Sequence, residues 1–137
     1  MTDELITPEN LSKELLSSVL NAAFMDLSYD DEGDIRVQED ISCWVLPGVE
    51  SKDRIKFLAL FRFEPDASEV ARLECINKIN QEYFLVKAVV GDNDNLSFEY
   101  DMFVAGGITK KAFVLALKRF CSIPRSAIAD HGTGIIA

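Results

Sequence analysis

The sequence predicts an α+β domain of three helices and an antiparallel five-stranded sheet, in the order α-β-β-β-α-β-β-α. Two observations carry this reading. Apolar residues recur at spacings of three and four in three stretches, near the start, middle and end of the chain, while the stretches between them are short, β-branched and alternating. Turn-rich joints link neighbouring strands, and hairpin-linked strands between helices imply an antiparallel sheet with helices on at least one face.

The elements follow in order. Thr7-Pro8-Glu9-Asn10 has the cap, proline and carboxylate of a helix start, so the first helix is expected from Pro8. Leu11, Leu15, Val19, Leu20, Ala23, Phe24 and Leu27 then form its stripe. Asp30-Asp31-Glu32-Gly33-Asp34 is an acidic turn, followed by strands at 35–38, 41–46 (stopped by Pro47-Gly48) and 54–63. Within the last of these, Ile55, Phe57, Ala59, Phe61 and Phe63 share one face, and Lys56, Leu58, Leu60 and Arg62 share the other. The second helix starts with Asp66 and Glu69 at capping-box spacing and buries Val70, Leu73, Ile76 and Ile79.

Strands at 83–90 and 96–104 form a hairpin across Gly91-Asp92-Asn93-Asp94-Asn95. Gly106-Gly107 breaks the last strand and Thr109 caps a third helix, which uses Ala112, Phe113, Ala116, Leu117 and Phe120 inward and is expected to stop before Pro124. With 137 residues and 48% hydrophobic content, the chain is read as a single domain, 1–137, ordered over about 8–128, with 129–137 as a flexible tail.

Composition narrows the function. With 23 acidic against 14 basic residues and a net charge of -9, phosphate backbones and anionic headgroups are repelled, which argues against nucleic acid and membrane as partners. Lys110, Lys111, Lys118 and Arg119 read as a solvated helical face. Cys43, Cys75 and Cys121 are far apart among apolar neighbours, as core thiols in a reducing compartment are. No signal segment or membrane span is evident, so a cytoplasmic location is expected.

The stretch Ile76-Asn77-Lys78-Ile79-Asn80, the strand Leu85-Val86-Lys87-Ala88-Val89-Val90 and the Gly107-Ile108-Thr109 opening of the last helix resemble the bacterial YbjN family. That family is described as a sensory-transduction regulator and is similar in fold to class I chaperones of type III secretion. The resemblance spans most of the chain and brings no catalytic or ligand-binding residues. It implies a non-enzymatic protein-binding scaffold, homodimeric, with a regulatory or chaperone-like role. A dedicated secretion chaperone holding an effector segment is the nearest alternative.

Other motifs weaken on inspection. Residues 28–39 carry Gly33, Ile35 and Glu39 at the sixth, eighth and twelfth places of a calcium loop, but Ser28 stands where aspartate belongs and a strand follows where a helix should. A hairpin turn is the better reading, with a calcium or small-ligand sensor as the competing one. His131 is the sole histidine and falls in the tail, where nothing would fix it for acid–base work. Glu99 and Asp101, ~7 Å apart by strand rise, read with Ser97 as the polar side of a half-exposed sheet. No catalytic, cofactor or metal residues are assigned. Trp44, Leu46, Leu58, Leu60 and Phe103 remain, apolar on the second sheet face. Either a helix covers them or they form a partner or dimer surface.

Overall fold

The computed structural model describes residues 5–137. Three helices, α1 (Lys13–Ala22), α2 (Glu69–Glu82) and α3 (Lys110–His131), accompany six strands: β1 (Asp26–Tyr29), β2 (Ile35–Gln38), β3 (Ser42–Pro47), β4 (Arg54–Arg62), β5 (Lys87–Val90) and β6 (Asn95–Phe103). The strands form one antiparallel sheet in the order β1-β2-β3-β4-β6-β5. The α+β class and helix count match the sequence reading, and the sheet has one strand more than expected.

The extra strand is β1. Helix α1 ends at Ala22, and Phe24 takes φ +61°, a left-handed conformation in which the Met25 N–H reaches back to the Leu20 carbonyl at 3.1 Å. This is the geometry that closes a helix, usually with glycine in the left-handed place. Leu27 leaves the helical stripe and joins β1, paired with Val37. The start also moves. Residues 7–10 fold as a turn, with the Thr7 N–H donating to the Asn10 side chain at 2.8 Å, and Ser12 is the true cap, accepting from the Leu15 N–H at 3.0 Å. The cap of α2 is likewise Ser68 rather than Asp66, accepting from the Ala71 N–H at 3.1 Å. Thr109 caps α3 as expected, accepting from Ala112 at 2.9 Å.

Two further corrections concern the C-terminal third. Helix α3 passes through Pro124 and continues to His131. An interior proline costs about 3 kcal/mol, but Phe120, Cys121, Ile123, Pro124 and Ala127 are all buried on this stretch. Burial at about 1.5–3 kcal/mol per large apolar side chain outweighs that cost. The segment expected to fray instead packs on the sheet. Ile136 is buried and bridges Phe63, and the Ala137 N–H donates to the Arg62 carbonyl at 2.8 Å.

The core lies between the helices and one sheet face. Phe57 is its centre, 6.0 Å from Phe113, 5.7 Å from Phe120 and 5.9 Å from Tyr100 by ring centroids. All three cysteines are buried, and contact with Cys121, together with burial, pushes the Cys43 thiol well up. Helix α2 is rotated from its expected face. It buries Cys75 and Ile79, while Val70 and Leu73 stay exposed.

Candidate interaction surface

Side chains alternate across β4: Ile55, Phe57 and Ala59 are fully buried under the helices, whereas Lys56, Leu58 and Leu60 point the other way. The buried residues of all three helices belong to the single cluster on the Phe57 side. No described helix therefore covers the second face, and Leu60 is 52% and Phe103 65% exposed there.

Register decides which of these residues meet. Trp44 lies opposite Leu58, and Leu46 is opposite Lys56, so Trp44, Leu46, Leu58 and Leu60 form one apolar band. Phe103 lies outside it, opposite Arg54 at the far end of β6, with Lys56 and Asp101 intervening. The expected set is thus four contiguous residues and one outlier.

Polar groups hold the band in place. The Trp44 indole N–H donates to Asp30 Oδ2 at 3.1 Å, and the Arg36 guanidinium stacks 4.8 Å above its ring. Arg36 donates to Ser42 Oγ at 3.2 Å, and its Nε is buried without a hydrogen-bond partner among the described residues. On the other side Lys56 lies 3.2 Å from Glu99 and 4.0 Å from Asp101, and Ser97 donates to Glu99 at 2.8 Å. Partial desolvation raises the Glu99 carboxyl, but the Ser97 and Lys56 contacts outweigh it and hold the group below its ordinary value. The paired carboxylates read from the sequence are thus tied to one lysine.

The acidic turn is the β1–β2 hairpin turn. Asp30 Oδ1 accepts the N–H groups of Glu32 at 3.0 Å and Asp34 at 2.9 Å, and Asp34 pairs with Lys13 at 2.9 Å. Among the described residues no group of three or more histidine, cysteine or carboxylate side chains is arranged to hold a metal. His131 is placed differently from expectation. It sits on the last turn of α3, 3.0 Å from Glu82 Oε2 and edge-on to Tyr83, whose hydroxyl donates to Asp130.

Sequence reasoning missed a second exposed apolar set, Val70 and Leu73 on α2 and Phe84 after it, at 65%, 47% and 66% exposure. Arg119 stacks 5.3 Å over Phe84. Cys75 held the signal: counting it as apolar shifts the helical stripe toward Cys75 and Ile79 and leaves Val70 and Leu73 outside.

Residues 12–129 match the family profile described as "YbjN: Putative bacterial sensory transduction regulator". The chain belongs to the YbjN family. Its fold is similar to the crystal structure described as YbjN, a putative transcription regulator from E. coli, with a TM-score of 0.76 at 15% identity over 93% of this chain and 96% of that one. It is also similar to an uncharacterized protein from Methanothermobacter thermautotrophicus, with a TM-score of 0.65 at 15% identity over 90% and 98%. No curated protein matches. YbjN membership supports a regulatory or binding role, and the family is described as a regulator rather than as an enzyme. Among the described residues no helix is long and apolar enough to cross a membrane.

Proposed function

We propose that this YbjN-family protein is a non-enzymatic regulator that works by holding another polypeptide, or a second copy of itself, on the open face of its sheet. The carrying observation is the band of Trp44, Leu46, Leu58 and Leu60 on a face that no described helix covers. An indole fixed by a hydrogen bond and a stacked guanidinium, surrounded by aliphatic side chains and rimmed with charge, has the composition of a binding hot spot. The fold family adds the expectation of a regulatory or chaperone-like role.

The test is the double variant Trp44→Ala, Leu58→Ala, compared with the wild type by light scattering and by affinity capture from its native cell. Both side chains are partly buried on a face outside the main core, so each change is expected to cost about 1–3 kcal/mol, and a melting curve that stays cooperative shows that the variant is folded. Loss of the dimer, or of one specific captured protein, supports the proposal. A variant that keeps the wild-type mass and the same captured protein refutes it.

A further inference from the structure

Strand β6 is nine residues long, but β5 pairs only with its first half, from Val90 opposite Leu96 to Lys87 opposite Glu99. The cause is local: Leu85 takes φ +63° and turns the chain away, so no described strand takes the places opposite Asp101 and Phe103. In an antiparallel ladder alternate residues send both N–H and C=O to the same side. The Gly91 N–H donates to the Asn95 carbonyl, whereas the Val104 N–H donates to the Asp53 carbonyl and the Phe63 N–H to the Asp94 carbonyl, each at 2.7 Å. Odd-numbered residues of β6 therefore face β5, and even-numbered ones face β4. Asp101 and Phe103 aim their backbone groups into the notch, where no described residue meets them.

Two other exposed strand sides are closed by the chain itself. The Asn80 side chain accepts from the Ala88 N–H at 2.7 Å and donates to the Ala88 carbonyl at 3.2 Å, blocking the outer side of β5. Residues 135–137 cover β4 where it outruns β3, through Ala137 to Arg62 and Glu64 to Ile135, both at 2.8 Å. Strand β1 also leaves Leu27 and Tyr29 unpaired outward among the described residues, but they sit between Asp26 and Asp30. The β6 notch instead opens on a hollow of ≈ 240 Å³ lined by Leu85, Val86, Lys87, Glu99, Tyr100 and Asp101. Asp101 also borders a second hollow, of ≈ 320 Å³, beside Phe103 and Arg54.

We propose that the edge of β6 at residues 101–103 is a strand-addition site for an extended segment of another polypeptide with apolar residues at alternate positions. This rests on the polypeptide-binding reading above and adds a second point of attachment, at the sheet's edge rather than on its open face. Backbone pairing to Asp101 and Phe103 supplies affinity, and the side chains set opposite Tyr100 and Met102 fall against these half-buried residues and Val86. A second copy fits poorly. Two-fold pairing through Met102 would put its Ala105 opposite Glu99, the place already held by Lys87.

The test uses Asp101→Pro. Its N–H is absent from the ladder with β4, so proline removes only the outward donor, at an edge position where proline is tolerated. Asp101→Asn changes the side chain and keeps the N–H. The probe is a capped synthetic peptide of alternating valine and serine, added to the full chain and followed by amide hydrogen exchange. The peptide is expected to slow exchange at Asp101 and Phe103 by about tenfold or more in the wild type and in Asp101→Asn. Asp101→Pro is expected to weaken binding at least about tenfold. The proposal fails if both amides exchange unchanged, if protection appears at Leu27 and Tyr29 instead, if Asp101→Pro binds like the wild type, or if protection without peptide grows with protein concentration. Should Asp101→Pro not fold, the wild-type exchange result decides alone. Peptide protection that persists in Trp44→Ala, Leu58→Ala separates failure of the open-face reading from failure of this one.

Discussion

Asp30 holds the acidic turn and the exposed band together, because one carboxylate serves the Glu32 and Asp34 N–H groups and the Trp44 indole. The Asp34 N–H, opposed by some desolvation and helped by Trp44 and Glu32, holds its carboxyl below the ordinary 3.8. A depressed folded-state value contributes stability above the unfolded value, and that stability is lost as pH falls through the folded one. Asp30→Asn keeps a turn-forming side chain but removes the titration. It should lower the melting temperature at neutral pH and flatten its fall between about pH 5 and pH 2; an acid limb as steep as the wild type's would show that Asp30 is not linked to folding. With both oxygens engaged, millimolar calcium should leave the wild-type melting temperature where it is.

At the scale of elements, Phe24 is the clearest cost. It is 94% exposed, buries nothing, and occupies the left-handed place that ends α1. Glycine adopts that conformation freely, so Phe24→Gly should raise stability by about 1 kcal/mol in chemical denaturation; a loss would mean the ring makes contacts that matter to the fold. The same residue explains why β1 was illegible. Ala23, Phe24 and Leu27 continue the spacing of α1, and Asp26-Leu27-Ser28-Tyr29 also alternates like a strand, so both periods fit. The conformation of Phe24 decides between them, and no propensity marks it. The caps show a milder ambiguity. Ser12 and Ser68 compete with Thr7 and Asp66, also capping residues and a few positions earlier. Strands at 35–38 and 54–62 were legible because burial of one face imposes a strict period of two.

For the whole molecule, the second sheet face was legible as apolar, but its exposure was not. Whether a helix covers Trp44 and Leu58 depends on where three helices pack, a question of topology rather than of any local pattern. The C-terminal segment was misread for a similar reason: Gly132 and Gly134 look like loop, while the value of Ile136 comes from Phe63, far away in sequence. Ile136→Ala should destabilise by about 2–4 kcal/mol in urea. It should also quicken amide exchange at Glu64, whose N–H pairs with Ile135 at 2.8 Å. Stability within about 0.5 kcal/mol of the wild type would show that the segment is an ornament on the sheet.

Asn80 has a consequence beyond the native state. Its carboxamide imitates a neighbouring strand for Ala88, and it is carried by α2, whose buried side chains are Cys75 and Ile79 and whose first turns are held by Arg72 over Phe63 and against Asp94. Asn80 lies in the last turns of α2, beyond the Arg72 anchor, and warming that loosens this end of the helix uncovers β5 while the sheet is still intact. The protein should therefore turn turbid before it melts, with α2 as the guard whose departure starts precipitation.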